Sequence, residues 1–258
     1  MIADVVVDLQ YGDCGKGKIA HALCRENKYT HVIRYNGGCN AGHTIYHKRG
    51  NGPAYRDKYA RKGVRAVDDH RLLPFIIDMY SELYENEDYN NIEILFEGAQ
   101  GFGLDVDWGD YPFVTSSHCT VGSAVLNGVP PKSIREVWGV AKIYETYVGA
   151  KDFEGPDEIF EEIRELGQEF GATTGRPRQI NWLDFDMLKM AARINGVSKI
   201  VFNKMDILEL VDSWCLYDGP NLYQFKTRED MEMWLSGKLH VEVDEDIEIM
   251  FSGDKEYI

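Results

Sequence analysis

The sequence predicts an α/β fold with a largely parallel central sheet flanked by helices. Three observations carry that prediction: short apolar, β-branched runs recur along the chain, stretches of helical periodicity separate them, and each glycine-rich cluster follows such a run. Ile2 to Leu9 is the first run, and it ends at a glycine-lysine cluster that opens a helix through Cys24. Thr30 to Tyr35 repeats the pattern and leads into Asn36-Gly37-Gly38-Cys39-Asn40-Ala41-Gly42-His43-Thr44, a loop that suits close approach to a ligand. Ile92 to Phe96, Glu136 to Tyr144 and Lys199 to Phe202 read as further strands, while Pro156 to Phe170 and Leu183 to Asn195 carry helical periodicity. The acidic stretch Glu82 to Asp88 reads as a solvated helix end, and Tyr80, Tyr84, Tyr89 and the five tryptophans as packing residues. In a parallel sheet, ligands sit at the carboxyl ends of the strands, where these glycine clusters fall.

The 258 residues suit one domain spanning 1–258, and neither a linker nor a repeat divides them. With 28 Lys+Arg against 43 Asp+Glu, the net charge of -15 argues against general phosphate neutralisation on duplex nucleic acid but leaves room for a local basic pocket. The five cysteines are widely spaced and form no CxxC pair, so neither a disulfide framework nor a zinc site is expected. No apolar run reaches the ~20 residues of a membrane span. The expectation is a cytoplasmic protein without a membrane or nucleic-acid partner.

Two motifs point to a nucleotide. Gly12-Asp13-Cys14-Gly15-Lys16-Gly17-Lys18 has the G-x-x-x-x-G-K form between a strand and a helix, where backbone amides and a helix N-terminus cradle phosphates. Ile19 stands where a hydroxyl normally holds magnesium, which leaves Asp13 as the candidate metal ligand. Asn203-Lys204-Met205-Asp206 has the N-K-x-D form that reads guanine, because a carboxylate accepts from both N1–H and N2–H. Taken singly, the first is also compatible with a solvated turn and the second with a helix cap. His43 is a candidate general acid beside the reading of a structural histidine. Gly171 to Arg178 offers two hydroxyls and two guanidiniums suited to carboxylate or phosphate, and it is otherwise a basic surface loop.

Together these residues resemble the adenylosuccinate synthetase family. The matches are Gly12-Asp13-x-Gly15-Lys16-Gly17-Lys18, Asn40-Ala41-Gly42-His43-Thr44, Gly52-Pro53-Ala54-Tyr55, Glu97-Gly98-Ala99-Gln100-Gly101, Tyr111 to Ser116, Gly171 to Arg176 with Trp182-Leu183-Asp184, and Lys204-x-Asp206, with an echo at Ser252-Gly253. The resemblance implies a P-loop-like, GTP- and Mg2+-dependent ligase that joins L-aspartate to C6 of a purine nucleoside monophosphate through a 6-phosphoryl intermediate. It assigns catalysis to Asp13, His43 and Lys16, and metal binding to Asp13 and the carbonyl of Gly42. GTP contacts would come from Gly12, Gly15, Lys16, Gly17, Lys18, Gly42, His43, Thr44, Asn203, Lys204, Asp206, Ser252 and Gly253. Asp13, Asn40, Arg61, Gln100, Thr115, Val148 and Arg176 would hold the purine nucleotide, with Arg61 reaching a partner's site across a homodimer. Thr173, Thr174, Arg176 and Arg178 would hold aspartate.

Departures from the family pattern bear on the substrate. Asp8-Leu9-Gln10-Tyr11 stands where members usually show Gly-Thr-Gln-Trp, Cys14 replaces Glu, Cys39 often corresponds to His, and Tyr147 takes the place of Arg. The Asp-Leu-Gln-aromatic form is similar to the phage branch, which takes dGMP and makes the succinyl precursor of 2-aminoadenine, and which works in the host cytoplasm. The Gly-Ala-Thr-Thr-Gly-Arg loop and N-K-x-D are similar to the ordinary IMP enzyme and favour GTP as donor. The expectation is dGMP ahead of IMP, with a GTP-binding regulatory module as the alternative of another class. Only eight residues separate His43 from Gly52, where the family carries several dozen. Arg49-Gly50-Asn51-Gly52-Pro53 looks like the tail of that family segment, so its omission near residues 48–49, rather than a true deletion, is expected.

Overall fold

The computed structural model describes residues 1–25, 29–34, 51–171 and 175–253. In chain order its strands are β1 (Ile2–Asp8), β2 (His31–Arg34), β3 (Glu93–Glu97), β4 (Ile134–Lys142), β5 (Tyr144–Tyr147), β6 (Gln179–Asp184), β7 (Lys199–Asn203), β8 (Trp214–Asp218), β9 (Asn221–Phe225) and β10 (Glu248–Phe251). Helices are α1 (Lys16–Arg25), α2 (Asn51–Tyr59), α3 (Met79–Tyr84), α4 (Gly122–Leu126), α5 (Ile159–Leu166), α6 (Phe185–Asn195), α7 (Met205–Val211) and α8 (Arg228–Glu242). Six strands form one sheet in the order β10-β7-β4-β1-β3-β2, and every pairing in it is parallel.

β1 is central and buried on both faces, as its Val5-Val6-Val7 run requires, and its buried Asp4 is paired with Arg135 at 2.8 Å. Val5, Val7 and Leu9 belong to the larger core with Phe96, Phe202, Trp182 and Leu188, while Val6 packs with Ile19, Ala20 and Leu23 of α1 on the opposite face. Because all six strands run the same way, the carboxyl ends of β1, β3, β4, β7 and β10 share one edge. That edge carries Asp8, Gln100, Lys142, Asn203 and Ser252 close together.

A second, four-stranded sheet in the order β5-β6-β8-β9 was not expected, and it splits one expected strand. The run Glu136 to Tyr144 continues through Tyr147, but it breaks at Ile143, whose amide bonds the Asn203 carbonyl at 3.0 Å while Tyr144 begins pairing with Trp182. The helix expected from Leu183 begins at Phe185, because Leu183 and Asp184 finish β6 and the Asp184 carboxylate caps the Met187 amide at 3.1 Å. The stretch 156–170 is helical only over Ile159–Leu166, ending before Gly167 and the left-handed Gln168 (φ 53°). Glu85 and the residues after it do cap and follow α3 at the surface, and Tyr84 stacks between Tyr80 and Tyr89. The four cysteines among the described residues are free thiols, and no helix there is long and apolar enough to cross a membrane.

Candidate active site

The loop between β1 and α1 curls back over the end of its own strand. Asp8, 1% exposed, fastens it: one carboxylate oxygen accepts from the amides of Gln10 and Gly12, each at 3.1 Å, and the other from the Cys14 amide and the Lys16 ammonium, each at 3.0 Å. Burial pushes the Lys16 pKa down, but Asp8 outweighs it and holds the ammonium above its ordinary range. Cys14 is buried, which pushes its thiol well above the usual range, so it stays protonated and donates to Gln10 Oε1 at 3.0 Å.

β7 supplies the second clamp. Asn203 Nδ2 donates to the Cys14 carbonyl at 2.8 Å, and Gly15 faces it with φ +99°. A Cβ on Gly15 would stand 2.8 Å from that amide nitrogen. Lys18 reaches away from the loop to Asn203 Oδ1 (3.2 Å), Ser252 Oγ (2.9 Å) and the Gly253 carbonyl (2.5 Å), so the phosphate-loop motif, the N-K-x-D motif and the Ser252-Gly253 pair meet at one place. Lys204 takes a left-handed conformation (φ 68°) and bonds the Gly167 carbonyl at 3.0 Å, and Asp206 lies in the first turn of α7.

Two cavities open at this edge. One, of about 270 Å³, is lined by Tyr11, Gly12, Asp13, Lys16, Gln100, Val148 and Arg178 among others. In it Gln100, left-handed at φ 64°, donates to Thr115 Oγ1 at 2.8 Å, and its carbonyl accepts from Lys16 Nζ at 2.5 Å. The other, of about 350 Å³, is lined by Asp13, Gly15, Lys18, Lys142, Glu169, Arg178, Asn203 and Lys204. Asp13 and Arg178 border both, and they are ion-paired at 3.0 Å. The site therefore offers an exposed carboxylate facing two neighbouring chambers, with amides, lysines and a guanidinium around it. Such a group can take a proton from a ligand in one chamber beside a phosphate chain in the other.

Gly101 presses the Gln100 segment against the Asp8 loop. A Cβ there would fall 2.4 Å from the Gly12 nitrogen, 2.5 Å from the Gln10 carbonyl and 2.6 Å from Asp8 Oδ1, all of them atoms that cannot swing aside. Gly101→Ala is expected to cost about 3 kcal/mol through overpacking and to weaken ligand binding at both cavities. Urea unfolding and nucleotide titration of the variant check this, and wild-type values in both would refute the close approach.

Several expected residues are thus brought together: Gly12, Asp13, Gly15, Lys16, Lys18, Gln100, Thr115, Val148, Arg178, Asn203, Lys204, Ser252 and Gly253. Asn40, Gly42, His43, Thr44, Thr173 and Thr174 lie outside the described residues. Arg176 is exposed and lines neither cavity, although its carbonyl bonds the Gly171 amide at 2.8 Å. Arg61 stands apart, exposed and left-handed (φ 56°), lining a separate groove with Asp57, Lys58 and Val64. Sequence reasoning missed Asp8, Lys142 and Glu169 as parts of the site. Only Asp8 carried a signal, as a carboxylate closing the Val5-Val6-Val7 run at the start of the glycine-lysine loop.

Comparison with known proteins points to a family. The adenylosuccinate synthetase family model matches residues 5–49 and 68–216. The adenylosuccinate synthetase of Helicobacter pylori (strain Shi470) is 31% identical over 334 residues, covering 82% of this chain and 80% of the relative. That alignment is longer than this chain, so the relative carries residues with no counterpart here, and the family model breaks after residue 49. Among solved structures, the fully ligated adenylosuccinate synthetase from Plasmodium falciparum superposes with a TM-score of 0.71 at 22% identity, covering 96% of each chain. The cyanophage S-2L succinoaminodeoxyadenylate synthetase bound to dGMP and dATP as an energy donor superposes with a TM-score of 0.59 at 19% identity, covering 92% of this chain and 99% of that one. At those identities the likeness shows the fold.

Proposed function

The chain belongs to the adenylosuccinate synthetase family of C–N ligases, which join aspartate to a purine nucleotide, and on that premise we propose that it uses GTP to act on dGMP in preference to IMP. The observation that carries the reading is the Asp13–Arg178 pair on the border of two cavities. The purine nucleotide occupies the cavity of Gln100 and Val148, and GTP occupies that of Lys18, Asn203 and Lys204. Asp13 takes the N1 proton of the 6-oxopurine, which places negative charge on O6. O6 attacks the γ-phosphorus of GTP, the bond to the β,γ-bridging oxygen breaks, and GDP leaves. His43 hydrogen-bonds the transferring group. The aspartate amine then attacks C6 and phosphate departs, while Thr173, Thr174, Arg176 and Arg178 hold the aspartate carboxylates.

The Asp13 side chain is 68% exposed, and its oxygens are hard donors of the kind Mg2+ takes, so Asp13 with the Gly42 carbonyl is the proposed metal site. Bound there, the ion supplies charge neutralisation of the phosphate oxygens.

Preference for dGMP is supported by the Asp8-Leu9-Gln10-Tyr11 form and by the packing of its aromatic residue. Tyr11 meets Tyr147 edge-on at 5.5 Å and Phe153 at 5.0 Å, so two departures from the family pattern share one wall beside the nucleotide cavity. Fold likeness does not choose the substrate, since it is shared with the Plasmodium falciparum synthetase as well as with the cyanophage enzyme, whose structure holds dGMP. That structure also holds dATP as energy donor, whereas Asn203, Lys204 and Asp206 favour GTP here. IMP remains the second reading because the Gly171 to Arg176 segment keeps the ordinary form.

A coupled phosphate-release assay with aspartate, dGMP or IMP, and GTP or ATP separates these readings. Faster turnover with dGMP and GTP is expected. Faster turnover with IMP would reverse the substrate, and GTP hydrolysis indifferent to aspartate would replace the ligase by a regulatory module. We further propose a homodimer in the cytoplasm. What supports this is that Arg61 lines a groove separate from both cavities, that exposed Val64, Leu73, Phe75 and Ile77 lie close to it in sequence, and that free thiols suit a reducing compartment.

A further inference from the structure

The aspartate-binding arginine of the proposed reaction is held from behind by a buried ionic chain. Glu169 lies on the turn after α5 with a side chain 1% exposed, and Lys142 ends β4 with a side chain 2% exposed. The Glu169 carboxylate accepts from Lys142 Nζ with both oxygens, each at 2.8 Å, from the Tyr144 hydroxyl at 2.8 Å, and from one terminal nitrogen of Arg178 at 2.5 Å. Lys142 also donates to Thr146 Oγ1 at 2.9 Å. The other terminal nitrogen of Arg178 lies 3.0 Å from Asp13 Oδ2. Four charges thus alternate in sign along one line, from Lys142 in the core to Asp13 at the cavities.

A buried ion pair is weak evidence for stability, because desolvation offsets much of its attraction. Burial alone would push the Glu169 carboxyl up, yet Lys142, Tyr144 and Arg178 together hold it below the usual range, so it stays an anion. What the arrangement does provide is direction. An arginine side chain has many rotamers, and a carboxylate gripping one edge of its planar fork fixes where the opposite edge points. The backbone reinforces this, since the Arg178 amide bonds the Glu169 carbonyl at 3.0 Å. Arg178 Nε is itself buried, so the two terminal nitrogens carry the contacts to Glu169 and Asp13.

We propose that Glu169, backed by Lys142 and Tyr144, is a positioning residue that aims Arg178 at the aspartate substrate and at Asp13. The inference rests on the ligase reading given above. Glu169→Gln keeps the shape and removes the charge. It is expected to raise KM for aspartate at least about tenfold, the loss of a charge-assisted bond, while KM for the purine nucleotide and for GTP stays within about twofold. Tyr144→Phe removes one bond to Glu169 without leaving a buried charge, and it should raise KM for aspartate about threefold with the same split. If Glu169→Gln does not fold, Tyr144→Phe decides. An active wild type, with aspartate KM unchanged in each variant that folds, overturns the positioning role alone. So does a common rise in all three KM values. A wild-type protein that releases no aspartate-dependent phosphate overturns the ligase reading and this inference with it.

Discussion

Asp13→Ala is expected to abolish turnover, a loss of at least about a thousandfold, because general-base catalysis alone contributes on the order of 10²–10⁴ and the same carboxylate is the proposed metal ligand. The loss should come without unfolding. Asp13 is exposed, and among the described residues its one ion pair is with Arg178, which stays anchored on Glu169 when that pair is cut. Alanine does carry a cost of its own at this position. Asp13 has φ +60°, a left-handed conformation that costs a non-glycine residue roughly 1 kcal/mol and that asparagine tolerates better than alanine. Asp13→Asn is therefore the sharper probe, since it keeps the backbone and the side-chain shape while removing the basic oxygen. Single-turnover assays should show both variants binding dGMP and GTP but forming no 6-phosphoryl intermediate. Wild-type turnover in either variant would exclude Asp13 as the base.

The parts of this site that could be read from the sequence are those where chemistry and local backbone coincide. The phosphate-loop motif and N-K-x-D each fill a short contiguous stretch after a buried parallel strand, and such strands announce themselves as unbroken apolar runs. The second sheet has no such signature. β9 is exposed along most of its length, and β5 continues the apolar run of β4 without any turn residue between them, so only tertiary pairing separates the two strands. Lys142 and Glu169 escaped for a related reason. They lie 27 residues apart, one in a strand and one in a turn, and an isolated lysine or glutamate reads as surface until the fold buries both together. Arg178 was found because it belongs to a loop of recognisable composition, but what steers it was not. Chemistry confined to a loop is readable, and the support behind it depends on contacts the chain makes only after folding.

Asp8 tests the other hidden support, and its replacement is expected to have the largest effect on stability. Asp8→Asn leaves an oxygen for the Gln10 and Gly12 amides but turns an NH2 group toward the Cys14 amide and the Lys16 ammonium, so donors face donors. Lys16, 7% exposed, then retains the Gln100 carbonyl and the weaker field of Asp13 but loses its bonded counter-charge. Breaking one side of a buried pair costs about 3–5 kcal/mol, which for a chain of this size lowers Tm by roughly 10 °C. Activity should fall with it, because the loop that presents Asp13 loses its fastening to β1. The cause can be separated from general damage with a second change. Lys16→Met in the Asp8→Asn background removes the stranded charge, since an apolar side chain of similar length replaces a buried ammonium without desolvation cost. Thermal denaturation followed by circular dichroism should show the double variant recovering much of the lost Tm while remaining inactive, because Lys16 also borders the nucleotide cavity. A single variant as stable as wild type would show that Asp8 does not hold the loop through charge, and a double variant less stable than the single one would show that Lys16 contributes through packing instead.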